Sequence, residues 1–285
     1  MRGGGRAERR ADAGQPLIDA RDVVVQFGTH RVLNGMTLAI PVGQVVCLIG
    51  GSGSGKTTLL RTMLGLVLPA SGSIHVLGVD LGRADGVART EVARQMGMLF
   101  QHSALLGNLT AEENVALPLA HRTDLSAEMI RCLARMRLAQ VGLGHAVCNY
   151  PRELSGGMQK RAALARAVVH EPRLVFCDEP SSGLDPATVV AIDELMIHLR
   201  DDIGASLVVV THHPASVRRI ANRVIVLREG RILADGSVAE ITALGDPWID
   251  GFFSEDRAPA AQGISMAQAL GLVAAPALGE GQGLA

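Results

Sequence analysis

Three short segments of this 285-residue sequence hold residues whose types and spacing can do chemistry. Gly50-Gly51-Ser52-Gly53-Ser54-Gly55-Lys56-Thr57, followed by Thr58, fits the spacing G-x-x-x-x-G-K-[ST]. Glycines there let backbone N–H groups converge on phosphate oxygens, and a helix opening near Lys56 adds its partial positive charge. Lys56 can neutralise β- and γ-phosphates, and the Thr57 hydroxyl can hold Mg2+. Leu174-Val175-Phe176-Cys177-Asp178-Glu179 puts two carboxylates at the carboxyl end of an apolar strand, where open α/β sheets bind ligands. Asp178 suits a Mg2+ ligand, usually through water, and Glu179 suits a base that polarises an attacking water. Leu154-Ser155-Gly156-Gly157-Met158-Gln159 opens an Ala-rich stretch reaching about His170. A helix starting there points unpaired N–H groups outward, toward an anion.

These segments must be carried by strands and helices in alternation. Short β-rich pieces occur at Val23 to Val25, Leu38 to Ile40, Gln44 to Ile49 and Ser73 to Val76, with Gly and Pro between them. Between about Gln101 and Pro151 the pattern turns helical. Thr110-Ala111-Glu112-Glu113 reads as a capping box, and a second helix begins near Ser126, with Met129, Ile130, Leu133 and Met136 on one face. The strand at Leu174 to Cys177, a helix around Val190 to Leu199 and a strand at Leu207 to Val210 alternate as a parallel sheet with crossover helices requires. Val224 to Leu227 and Ile232 to Ala234 flank Glu229-Gly230 as a hairpin.

Composition excludes several classes. With 48 % apolar residues the chain can bury a sizeable core, while a net charge of -1 and 2 % aromatic content argue against nucleic acid as a partner. Cys47, Cys132, Cys148 and Cys177 lack C-x-x-C spacing and read as buried free thiols in a reducing compartment. No apolar run reaches the roughly 18 residues of a membrane-spanning helix. The arginine-rich stretch from Met1 to Gln15 has no apolar h-region, so a solvated tail is expected rather than a secretory signal. The stretch from about Gly251 reads as an extension without its own core, with a docking helix or disorder as the alternatives for Ile264 to Ala275.

In order and spacing, the segments from about Leu17 to Ala243 resemble the ABC (ATP-binding cassette) ATPases. That resemblance implies an α/β fold: a P-loop NTPase (RecA-like) core with a mainly parallel sheet, an antiparallel β subdomain and an α-helical subdomain at about residues 102–160. It implies a division into a tail at 1–16, an ATPase domain at 17–250 and a C-terminal extension at 251–285. Phe27 matches the position that stacks adenine. Gln101, in Leu99-Phe100-Gln101, matches the Q-loop glutamine that senses Mg2+ and the attacking water. Ser155, Gly156, Gly157 and Gln159 match the signature, Asp185 in Ser182-Gly183-Leu184-Asp185 matches the D-loop, and His212 matches the switch histidine at the γ-phosphate. His213 departs from the family pattern, where Asp is frequent. In this family the signature of one subunit completes the ATP site of another, so the expectation is a homodimer using ATP and Mg2+.

Ser103 to Leu106, Glu113 to Leu119, Thr123 to Leu125 and Asp246-Pro247-Trp248-Ile249 with Phe252-Phe253 are similar to the ATPases of MCE-type (Mla-like) lipid transporters, although relatives often carry Phe where Leu106 stands. That likeness implies an MlaE-like permease and an MCE-domain lipid-binding protein as partners, lipid as cargo, and a place on the cytoplasmic face of the inner membrane. The alternatives are the ATPase of an amino-acid-type importer and a soluble ABC ATPase outside transport.

Overall fold

The computed structural model of the protein describes residues 15–254. The expectations for the remainder of the N-terminal tail and for residues 255–285, including the docking-helix alternative, lie outside the described residues. A six-stranded sheet runs in the order β10-β9-β3-β8-β7-β6. These strands are β3 (Val45–Gly50), β6 (Met96–Leu99), β7 (Leu174–Asp178), β8 (Ser206–Val210), β9 (Arg223–Arg228) and β10 (Arg231–Gly236). All neighbours are parallel except β9 and β10, the expected hairpin. Its turn residues Glu229 and Gly230 both take positive φ, as a tight two-residue turn between twisted strands requires.

Residues of the central strand β3 are buried on both sides, and their alternation divides the core in two. Val45, Cys47 and Ile49 face one apolar cluster with Val175, Cys177 and Val209. Val46 and Leu48 face another with Phe176, Val208 and Ile225. The second cluster is closed by α1 (Lys56–Met63) and by a four-stranded antiparallel sheet, β2-β1-β4-β5. That sheet comprises β1 (Ile18–Phe27), β2 (His30–Ile40), β4 (Ser71–Val76) and β5 (Val79–Asp80). After it come α2 (Gly86–Arg94) and β6.

The first cluster is closed by helices α3 (Ala111–Arg122), α4 (Ala127–Gln140), α5 (Gly156–Val168) and α6 (Pro186–Ile203). The chain ends its described part with α7 (Pro214–Ile220), α8 (Val238–Thr242) and α9 (Pro247–Ser254). The mixed parallel sheet, the antiparallel layer and the helical region together make the expected P-loop NTPase architecture.

Three details differ from the sequence expectations. In α4 the buried residues are Ala134 and Leu138, while Met129 and Met136 are exposed, so the helix turns a neighbouring face to the core. Cys132 and Cys148 are exposed and only Cys47 and Cys177 are buried. Helix α9 crosses the boundary expected at residue 251, and its Phe253 packs into the first cluster.

Candidate active site

The glycine-rich loop joins buried β3 to α1, so its position is set by the centre of the sheet. Two of its glycines have no room for a side chain. Gly50 takes φ +151, and a methyl group there would lie 2.3 Å from the Leu227 carbonyl oxygen of β9. Gly55, at φ +101, begins α1 in a left-handed conformation with Leu33 at 2.8 Å from a methyl position. Ser52, Gly53 and Thr57 are exposed, Thr58 is half-buried and Ser54 is buried. Lys56 folds back over the loop: its Nζ donates to the carbonyls of Gly50 at 2.7 Å and Gly51 at 2.9 Å and to Ser54 Oγ at 3.4 Å. Burial pushes the Lys56 ammonium pKa down, against the opposing pull of Glu179 and Asp178.

Asp178 ends β7, two strands from the loop, with β8 between. Burial raises its pKa, the Glu179 charge adds to that, and Arg61, Lys160 and Lys56 oppose it. Glu179 is held with φ 48, a left-handed backbone uncommon outside glycine, and its N–H donates to Val210 O at 2.9 Å. His212 Nδ1 lies 2.7 Å from Glu179 Oε2. Among the described residues that oxygen nevertheless accepts no hydrogen bond of acceptable geometry, so the two atoms lie close without an aligned bond. The His213 ring lies tilted against His212 at 4.4 Å between centroids, and burial followed by the neighbouring His212 pushes its pKa down. Gln101 is exposed just beyond β6, and Phe27 is 53 % exposed at the end of β1, free to meet a flat ring.

The signature segment and the Asp185 turn meet in a separate place. Ser155, Gly156, Gly157, Gly183, Asp185 and Thr188 line one cleft of ≈ 290 Å³, which contains no residue of the glycine-rich loop. Ser155 caps α5, its Oγ accepting from Met158 N at 3.3 Å. Asp185 caps α6, accepting from Thr188 N at 3.1 Å; the Thr188 hydrogen bonds hold its carboxyl pKa down. Gln159 points elsewhere: its amide donates to Pro151 O at 2.9 Å and Leu154 O at 3.2 Å, bracing the turn before the helix instead of facing the cleft.

For Mg2+ the available donors are hard oxygens: the Thr57 hydroxyl, the Asp178 carboxylate and the Gln101 amide oxygen. No group of three or more His, Cys, Asp or Glu gathers as a metal cage among the described residues. Mg2+ bound through one or two protein oxygens plus substrate phosphates needs no such cage, so the donor set fits it. Sequence reasoning missed two residues at this site. Lys160 is buried beside Glu179 and Gln101. Trp248 of α9 lies against the glycine-rich loop and lines, with His212 and Gly51, a second cleft. A lysine following Gln159 carries no sequence signal of burial; a lone tryptophan after Pro247 was a usable hint.

Known proteins resemble this chain over much of its length. The family described as ABC transporter matches residues 33–182. Methionine import ATP-binding protein MetN of Brucella abortus (strain 2308) is 40 % identical over 228 residues, covering 80 % of this chain and 62 % of that protein. The chain thus spans less than two thirds of that relative's length. Probable ribonucleotide transport ATP-binding protein mkl of Mycobacterium tuberculosis (strain ATCC 25618 / H37Rv) is 34 % identical over 257 residues, 89 % of this chain and 72 % of that protein. The ATP-binding cassette MJ0796, solved as a post-hydrolysis dimer with ADP and Pi, aligns with a TM-score of 0.70 at 31 % identity, covering 77 % of this chain and 98 % of its own. A phosphate loop at the centre of a parallel sheet, paired acids two strands away and a capped Ser-Gly-Gly helix, matched over more than half the chain, have one explanation: the chain belongs to the ABC transporter family.

Proposed function

We propose that this chain is the ATP-binding and ATP-hydrolysing subunit of a transporter, working as a pair of identical cassettes on a membrane permease. The observation that carries this reading is the separation of the two anion-binding features. The phosphate loop with Asp178, Glu179 and His212 lies at the carboxyl ends of the parallel strands, and the signature lies in another cleft, so a second copy is needed to bring a signature to each ATP. The dimer of the related cassette MJ0796 supports it.

In this reading the loop amides and Lys56 bind the phosphates, and Lys56 exchanges the Gly50 and Gly51 carbonyls for phosphate oxygens. Phe27 stacks on adenine. Thr57, Asp178 and Gln101 would hold Mg2+, which when bound would offset phosphate charge. Glu179 orients and polarises the attacking water, and His212, close to that carboxylate, meets the γ-phosphate. Ser155, Gly156 and Gly157 of the partner copy complete the site, with Asp185 near the contact. The test is Glu179→Gln with ATP and Mg2+: a stable dimer is expected in size-exclusion chromatography with light scattering. A monomer under saturating ATP sinks the proposal.

For cargo we propose lipid moved with an MlaE-like permease and an MCE-domain protein, on the strength of Ser103 to Leu106, Glu113 to Leu119 and Asp246 to Ile249. That places the chain at the cytoplasmic face of the inner membrane; no helix among the described residues is long and apolar enough to cross a membrane by itself. A second reading, a methionine-type amino-acid importer, is favoured by the 40 % identity to MetN. Purification with native partners separates them: an MCE-domain protein with bound lipid supports the first, and a small-solute receptor overturns it.

A further inference from the structure

Lys160 is 5 % exposed, yet among the described residues its ammonium pairs with no carboxylate side chain. It donates instead to two main-chain carbonyls, those of Gln101 and, at 3.2 Å, Glu179. A buried lysine is unusual because its charge must leave water, and the compensating contacts identify what the charge is there to hold. Both carbonyls belong to residues whose side chains are candidates for the reaction.

Glu179 needs holding. Its left-handed backbone costs on the order of 1 kcal/mol for a residue with a side chain, and such strain persists only where surrounding bonds over-determine it. The Glu179 N–H is fixed to Val210 O, and its carbonyl receives Lys160 as well as Ser182 N at 3.2 Å. Lys160 also stands in the second turn of α5, the helix whose first residues Gly156 and Gly157 line the signature cleft. One side chain therefore joins the Gln101 segment, the Glu179 segment and the signature helix.

We propose that Lys160 is a positioning residue for ATP hydrolysis, fixing the main chain of Glu179 against that of Gln101 and making both follow the signature helix. This rests on the ATPase reading above. In a pair of cassettes the helix that meets the partner's ATP is the helix that sets the base over the chain's own ATP.

The experiment compares Lys160→Met and Lys160→Gln in the full chain, measuring kcat per bound nucleotide, KM and Kd for ATP, and melting temperature. Lys160→Met, of similar length but without donors, is expected to lower kcat about 10- to 100-fold, as a misplaced catalytic group does, with Kd for ATP within about twofold. Lys160→Gln restores N–H donors and is expected to recover most of that loss. Turnover of Lys160→Met within about twofold of the parent, or equal loss in both variants at normal nucleotide binding, overturns the proposal. If Lys160→Met does not fold, a folded, ATP-binding Lys160→Gln that has lost turnover does the same. A parent chain that binds ATP but never hydrolyses it refutes the ATPase reading itself, which separates the two failures.

Discussion

In the proposed function Glu179 and Lys56 divide the work of the site, and substitutions should separate them. Glu179→Gln keeps shape and hydrogen-bonding reach while removing the base, so kcat should fall about 10²- to 10⁴-fold with ATP affinity little changed. Steady-state turnover and equilibrium binding of ATP check both halves of that statement. Lys56→Ala removes the ammonium lying over the loop carbonyls of Gly50 and Gly51, so the loss should appear in binding: Kd for ATP should rise about 10- to 100-fold, read by titration calorimetry. These candidates could be named from the sequence because phosphate and water chemistry leaves few choices of side chain at such spacings. Gln159 and Lys160 were not. The direction of each depends on partners brought near by folding, the turn at Pro151 to Leu154 for one and the ends of β6 and β7 for the other.

At the scale of elements, the loop between β3 and α1 is held by close contact with its neighbours. Gly50→Ala would drive a methyl group into the backbone of β9, which cannot swing aside as a side chain can. It should destabilise the protein by more than about 2 kcal/mol and abolish nucleotide binding. Gly51→Ala serves as its control, since the nearest atom to a methyl group there is Trp248 Nε1 at 3.9 Å, and it should melt normally. The capping box is a milder case. Thr110 accepts from Glu113 N at 3.2 Å while Glu113 accepts from Thr110 N at 2.7 Å, so Thr110→Ala should lower the melting temperature by about 2–4 °C, the effect of a cap worth about 1 kcal/mol. Such caps and the Glu229-Gly230 hairpin are local codes and could be read directly. Strand β6 could not: Met96–Leu99 is four residues long and contains Gly97, which lets the strand approach Ala167 of α5 too closely for any side chain. Its place follows from pairing with β7, a contact distant in sequence.

For the whole molecule, the two core clusters on either side of the main sheet make the phosphate loop the point where the antiparallel layer, the sheet and α9 meet. Fold class was readable from the alternation of strands and helices, whereas the lipid proposal rests on a few surface segments, because a docking surface constrains residue types less than a phosphate-binding cleft does. The distance between the signature cleft and the phosphate loop also has a genetic consequence. Gly156 is exposed, and a methyl group there meets only Leu184 at 3.7 Å, so Gly156→Asp should fold while repelling the partner's nucleotide. Lys56→Ala and Gly156→Asp chains should each be inactive alone. Mixed in equal amounts, they should complement one another, since every heterodimer places the intact loop of one chain opposite the intact signature of the other. A mixture as silent as its components would mean that a single polypeptide owns its whole active site.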